Sequence, residues 1–375
     1  MDVDASLAGV LEVAAADATG VDEESRFPAR AVDALRGSGL LGLTLSPEFG
    51  GLGGGPADFV SVTGRLAGAC GSTAMIYLMH VAAASVVAAA PPPGVPDVLE
   101  RLASGDWLGT LAFSERGSRS HFWASTSTAI AEGDGAVRLK VSKGWVTSAG
   151  KADLYVLSCL APDDASPTDT NLYALSKDQP GLEVSAPWSG LGLRGNASSP
   201  MELDAVVDER LRLGARGDGF GLMMQAVLPW FCLGNAAVSL GLARSALDDA
   251  VAHSTGTRFE HIGSRLADLP TIRARLAQAS IELEAVSCYV RDTAARVGAG
   301  DETVLPAVLG AKAAANETAL RVTDAAMRVC GGAAFSKHLK VERAFRDARA
   351  GYVMAPTADV LYEFYGRALC GLELF

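Results

Sequence analysis

The sequence has little that could bind a metal or cross-link the chain. Its six cysteines, at 70, 159, 232, 288, 330 and 370, are scattered, with no Cys-x-x-Cys pair and no histidine at a matching spacing. Neither a zinc site nor a disulfide framework is expected, no metal is assigned, and the plain reading is buried free thiols in a reducing cytoplasm. Long apolar runs are missing too. The longest, Val81 to Ala90, is too short to cross a bilayer, so no membrane partner is expected. No basic segment leads into an apolar core near the start, which reads against a secretory signal and for a cytoplasmic protein. Basic clusters are absent and the net charge is −11, which argues against nucleic acid as a ligand. The stretch Gly190-Leu191-Gly192-Leu193-Arg194-Gly195 lacks the strand–turn–helix setting of a dinucleotide fingerprint and reads as a turn.

What is present is a globular composition. At 375 residues, 49% hydrophobic and 20% charged, the chain can build two or three domains around real cores. Residues 1–105 read as helical. Phe27-Pro28-Ala29-Arg30 opens a helix, with proline where a missing N–H costs nothing, and Gly37-Ser38-Gly39 ends it. Helices follow over Ala57–Leu66 and Thr73–Ala89; the second is nearly all apolar and should be buried. Residues 106–215 read as β, with strands at Trp107–Phe113, Val137–Val141, Leu154–Leu157, Leu172–Leu175 and Met201–Val207. From 216 to 375 the pattern is helical again. Ala226–His253, Arg265–Val297 and Leu305–Cys330 carry apolar residues three and four apart, a Gly331-Gly332 break follows, and a last helix runs from Pro356.

Two stretches of the β region stand out. Leu111-Ala112-Phe113-Ser114-Glu115-Arg116-Gly117-Ser118-Arg119-Ser120 is a strand feeding a polar loop. Downstream, Gly144-Trp145-Val146-Thr147-Ser148-Ala149-Gly150 sets Trp145 and Thr147 two apart, an aromatic plane beside a hydroxyl, which suits a flat hydrogen-bonding ring. The two stretches resemble the flavin-contacting strands of the acyl-CoA dehydrogenase superfamily. The first resembles Thr-Glu-Pro-Gly-Ala-Gly-Ser-Asp at Glu115, Gly117 and Ser120, with His121 in place of the aspartate. The second resembles Trp-Ile-Thr-Asn-Gly. Pro47-Glu48-Phe49-Gly50-Gly51-Leu52-Gly53, Gly331-Gly332 and Val341-Glu342-Arg343-Ala344-Phe345-Arg346-Asp347-Ala348-Arg349 also match stretches of that superfamily. The resemblance covers nearly the whole chain. It implies an α+β, mainly α fold: an N-terminal helical domain (1–105), a central β-barrel or sandwich (106–215) and a C-terminal four-helix bundle (216–375).

It also implies FAD, rather than FMN, held by Leu111, Phe113, Ser114, Trp145 and Thr147, and by Arg258, Phe259, Arg328, Gly331, Gly332, Thr357 and Asp359. Ser120, Trp230, Phe231 and Ala355 are implied to line the substrate site. The implied partners are a small-molecule substrate, as a thioester of coenzyme A or of a carrier protein, an electron acceptor or flavin reductase, and a second copy of the chain in a homodimer or homotetramer. In that superfamily a glutamate removes the substrate's α-proton. Here Ala355 stands at its usual position, and Phe231 stands at the alternative one on the first long helix. Neither can take a proton. The remaining candidates for the base are Asp359, Glu115 and His80, and each also has a purely structural reading. The arginine and glutamine of the family's FAD-pyrophosphate motifs are missing, and Arg258 and Arg328 are candidates to replace them, the alternative being solvated surface charge. Besides a dehydrogenase with a displaced base, two readings stay open: a two-component flavin monooxygenase, and a degenerate flavoprotein scaffold.

Overall fold

A computed structural model describes residues 3–133, 135–162 and 166–374. The chain forms two units. The first holds the chain up to Phe59, Met75–Gly190 and Arg194–Phe231; the second holds Val60–Ala74, Leu191–Leu193 and Cys232–Phe375. In chain order the N-terminal helices are α1 (Val3–Glu23), α2 (Ala29–Ser38), α3 (Pro56–Ala69), α4 (Gly71–Ala89) and α5 (Val98–Ser104). Gly39 ends α2 in the left-handed conformation at φ 74°, where a residue without Cβ meets no steric cost. Gly71–Ala89 and Gly219–Gly256 are each apolar over a length that could cross a membrane, more than the short run at Val81–Ala90 implied, but 78% of each window is buried within the fold.

The β region of the first unit is two four-stranded sheets. The strands are β1 (Gly109–Ala112), β2 (Ile130–Gly133), β3 (Ala136–Val146), β4 (Leu154–Leu160), β5 (Thr170–Ser176), β6 (Leu182–Val184), β7 (Ser199–Asp208) and β8 (Arg212–Leu213). One sheet has the order β1-β4-β5-β8, the other β2-β3-β7-β6. Val137, Leu139 and Val141 of β3 share one core with Tyr155, Leu157, Tyr173 and Leu203; period-2 alternation buries one face of β3 and β7, whereas β1, β4 and β5 are buried on both faces. The strand expected over Trp107–Phe113 is shorter than its apolar run. Asp153 takes the Leu108 N–H at 2.9 Å, and Leu108 O accepts from Asp153 and Leu154, so pairing with β4 starts at Gly109.

The strand expected over Val137–Val141 is longer than predicted and carries an irregularity instead of a break. Lys143 pairs with Met201 and Val146 with Ser199, which leaves one extra residue on β3. The extra residue inverts the alternation. Val141 and Lys143 face inward, Val146 faces inward, and Trp145 is turned out at 63% exposure.

α6 (Gly219–Leu222), a π-turn over Met223–Val227 and α7 (Leu228–Gly256) run on without a gap, so the helix expected from Ala226 starts seven residues earlier, at Gly219. Pro229 supplies no N–H to the preceding turn, and a wide turn just before it accommodates that loss. Ser85 on α4 donates to the Ala226 carbonyl at 2.9 Å. The second unit continues with α8 (Pro270–Gly298), α9 (Leu305–Cys330), α10 (Gly332–Phe335), α11 (Val341–Val353) and α12 (Ala358–Leu369). α8 starts later than Arg265 because a 3-10 turn at Leu266–Asp268 precedes Pro270, and α12 starts at Ala358, not Pro356, because Thr357 is extended. Within this unit α8, α11 and α12 pack on α9. No cysteine is bridged among the described residues; Cys288 and Cys370 are exposed, against the expectation that all would be buried.

Candidate functional site

In the first unit the two stretches singled out by sequence lie side by side. Gly144 N–H donates to Ser114 O at 2.8 Å. Thr110 on β1 donates its hydroxyl to Thr147 O at 2.7 Å, and the Thr147 hydroxyl shares a hydrogen bond of 3.0 Å with Ser198. Leu111 and Phe113 are buried below them. An indole left on the surface beside paired strand ends and a row of hydroxyls is an unusual use of tryptophan. The exposed indole of Trp145, beside the Ser114–Gly144 pairing, fits one face of a flat aromatic ring, as a flavin presents.

Glu115 points the other way, into the β core. Lys143 donates to its Oε1, and both side chains are 1% exposed. Oε2 accepts from Thr126 N at 3.0 Å, Thr126 Oγ1 at 2.5 Å, Ser127 N at 2.9 Å and Ser127 Oγ at 2.9 Å. Burial acts to raise this carboxyl, but the ammonium of Lys143 and the hydroxyls outweigh it and hold the group below its ordinary value. Lys143 also donates to Ser158 O at 2.6 Å. Sequence reasoning missed Lys143. The available signal was a lysine on the inward parity of an alternating strand.

His80 is fully buried on α4, with both ring nitrogens in use. Nδ1 accepts from Gly109 N at 3.0 Å, so Nε2 carries the proton and donates to Leu41 O at 3.0 Å. Burial lowers its pKa to about 4. Phe231 packs on Phe122 at 6.3 Å between ring centroids, and Phe122 stacks on Phe113 at 6.3 Å, so the position of the alternative base belongs to an aromatic wall. Trp230 meets Phe59 edge-on at 5.5 Å. Ser120 is half-buried and His121 exposed, the latter edge-on to Trp123 at 5.1 Å.

The second unit holds the other candidates. Ala355 lies outside α12, between two carbonyls gripped by one amine: Lys312 on α9 donates to Met354 O at 3.1 Å and to Pro356 O at 2.8 Å. Lys312 is fully buried, and burial brings its pKa down to about 8. One turn along α9, Asn316 donates to Gly351 O at 2.7 Å and accepts from Ser239 at 2.8 Å. Lys312 was also missed; it sits on the buried alanine face of α9. Asp359 is exposed in the first turn of α12, and Thr357 precedes that helix. Arg258 is exposed in a small hairpin where it bridges Arg265, and Phe259 N–H donates to Ser264 O at 2.8 Å. Arg328 is exposed in a groove between α8 and α9 that Arg275 and Arg321 also line. Gly331 has φ 54°, and Gly332 opens α10. The Gly190–Gly195 turn has a structural use. Asp347 takes Leu193 N–H at 2.6 Å, and a Cβ on Gly192 would lie 2.5 Å from the Arg346 carbonyl carbon and oxygen.

Comparison with known proteins supplies the context. Residues 8–106, 110–206 and 217–370 match the N-terminal, middle and C-terminal domains of acyl-CoA dehydrogenase. The chain is 29% identical over 354 residues to cyclohex-1-ene-1-carbonyl-CoA dehydrogenase of Geobacter metallireducens, covering 93% of this chain and 92% of that one. It is 28% identical over 343 residues to the human mitochondrial short-chain specific acyl-CoA dehydrogenase, covering 91% of this chain and 82% of that one. Butyryl-CoA dehydrogenase from Megasphaera elsdenii has the same fold, with a TM-score of 0.91 at 24% identity over 99% of this chain and 98% of that one.

Proposed function

The chain belongs to the acyl-CoA dehydrogenase family of flavin-dependent oxidoreductases, and we propose that it oxidises an acyl thioester with Asp359 as the base in place of the family glutamate. One observation carries the choice of base. Glu115 is spent in a buried ion pair and His80 has both nitrogens bonded, whereas Asp359 presents an exposed carboxylate just beyond Ala355. A carboxylate suits the task because it must be ionised before the C–H bond is attacked. The relatives named above act on coenzyme A thioesters, and the short-chain and cyclic acyl groups in their names support a compact substrate here.

FAD, rather than FMN, is the proposed cofactor, and when bound it supplies the acceptor for the two electrons and β-hydrogen of the substrate. Phe113, Ser114, Trp145 and Thr147 would hold its ring. Arg258, Phe259, Arg328, Gly331, Gly332 and Thr357 would lie along its anionic half. The buried Phe113–Phe122 stack, with Phe231 against it, would keep water from the reacting carbons. Lys312 fixes the backbone on both sides of Ala355, just ahead of the helix that carries Asp359 in its first turn. We place the domain limits at 1–105, 106–215 and 216–375, with a separate protein as electron acceptor.

An anaerobic titration of the purified flavoprotein with a panel of acyl-CoAs tests this reading through the flavin absorbance. Bleaching by at least one thioester is expected. Asp359→Asn should slow it by about 10²–10⁴-fold while the flavin stays bound. Bleaching at the parent rate in Asp359→Asn removes Asp359 from the role. No bleaching by any thioester removes the dehydrogenase reading.

A further inference from the structure

Oxidation of a thioester needs an electron pair freed at the α-carbon. Removing a proton is one way to free it. Breaking the bond from that carbon to a carboxylate is another, and it needs no base. In this chain the proton route is poorly equipped. Ala355 ends at a methyl group, and Phe231 belongs to the first unit's aromatic stack on Phe122. Glu115 and His80 are spent within the fold, which leaves Asp359, exposed in the first turn of α12.

The backbone around Ala355 is fixed and electropositive. Lys312 donates to Met354 O at 3.1 Å and to Pro356 O at 2.8 Å, one carbonyl on each side of Ala355. The amine is fully buried, and a pKa lowered by burial to about 8 leaves it mostly protonated at neutral pH. Asn316 on α9 donates to Gly351 O at 2.7 Å, and Asn235 on α7 donates to the Met354 thioether at 3.4 Å. A Cβ on Gly351 would meet Asn316 Oδ1 and Ser239 Oγ at 2.7 Å, so the segment lies hard against both helices. An ammonium behind the backbone on both sides of residue 355 favours negative charge at that residue. Alanine supplies none. Lys312 also acts there through peptide groups, so it draws an anion in without gripping it in a direct ion pair.

We propose that the substrate brings the missing carboxylate: the protein also oxidises 2-carboxyacyl thioesters, losing CO2 in place of a proton, with the substrate's carboxylate seated against Ala355. This rests on the flavin-dependent thioester reading above and goes beyond it in dispensing with Asp359. The bond between the α-carbon and the carboxylate breaks, and its electron pair becomes the new α,β double bond. The β-hydrogen leaves with its own electron pair for the oxidised flavin. The products are an α,β-unsaturated thioester, CO2 and the two-electron-reduced flavin, which takes over the negative charge of the carboxylate. No proton is taken from the substrate. Seating beside a buried segment strips water from the carboxylate, and neutral CO2 loses little by leaving such a place.

Anaerobic mixing of the flavin-loaded protein with 2-carboxybutanoyl-CoA tests the proposal. The flavin should bleach, CO2 should appear in an amount equal to the flavin reduced, and the product should be but-2-enoyl-CoA. Bleaching without CO2 means that a proton was removed instead, and it overturns the proposal. CO2 without bleaching is plain decarboxylation and overturns it too, as does no reaction. Ala355→Glu returns a carboxylate to the place where the substrate's should lie. Like-charge repulsion should then cut the bleaching rate with 2-carboxybutanoyl-CoA, relative to that with butanoyl-CoA, by about tenfold or more. An unchanged ratio overturns the seat at Ala355. If that variant does not hold flavin, the ratio of CO2 to reduced flavin in the parent decides alone. The two readings fail separately. Butanoyl-CoA that bleaches the flavin beside an inert 2-carboxybutanoyl-CoA sinks only this proposal, whereas bleaching with CO2 by the carboxylated thioester alone sinks only the role of Asp359.

Discussion

Glu115 and Lys143 show how a charged residue in a motif can serve structure. Both are 1% exposed, so removing one partner leaves a buried charge with nothing to balance it. Glu115→Gln should cost about 3–5 kcal/mol in urea unfolding, and Glu115→Gln with Lys143→Met should recover most of that loss. Equal losses in the single and double variants would show that the ion pair is not what holds the loop. His80 adds a dependence on pH. Its folded pKa, about 4, lies below the ordinary 6.5, so the unfolded chain binds a proton first as pH falls. The stability it contributes is complete above pH 6.5 and is lost on the way down to pH 4. At pH 5 the loss is roughly 2 kcal/mol, from about 1.4 kcal/mol per unit, and His80→Gln should lack that part of the slope when denaturation midpoints at pH 7 and pH 5 are compared.

At the scale of elements, the second unit depends on close helix contact. A Cβ on Gly241 of α7 would fall on the carbonyl oxygen of Gly64 of α3, and backbone cannot swing aside as a side chain can. Gly241→Ala should therefore lower stability by about 1–3 kcal/mol in thermal unfolding, despite alanine's better helix propensity. A neutral or stabilising result would mean that the crossing is loose. Gly9, with open space around its Cβ position, is the control: Gly9→Ala should be neutral or stabilising. The irregular pairing on β3 is the other element-scale device. One extra residue between Lys143 and Val146 carries the Trp145 ring from core to surface.

At the scale of the whole molecule, the second unit exposes Phe335 at 85%, Leu369 at 73% and Val353 at 71%. Isolated exposed apolar residues are ordinary, but three this large on one unit fit a surface that another copy covers. A dimer or a dimer of dimers is expected by light scattering of the flavin-loaded protein. A monomer that retains its full complement of FAD would refute both the assembly and a cofactor site completed by a neighbour.

The sequence by itself determined the class of fold, because its signals are local. Period-2 alternation marked β3, a strand-like run marked β7, three-and-four spacing marked α7, α8 and α9, and glycine marked the end of α2. It also determined that Ala355 and Phe231 cannot act as bases, since side-chain identity needs no coordinates. What only the tertiary structure decided was which polar groups are already spent. Glu115, His80 and Asp359 are equal candidates on the page of letters. They part company because Lys143 lies 28 residues from Glu115, Leu41 and Gly109 lie 39 and 29 residues from His80, and Asp359 stays in water. Those partners are distant in sequence, so no local pattern encodes the pairing; the packing of sheet on sheet and of α4 on β1 creates it.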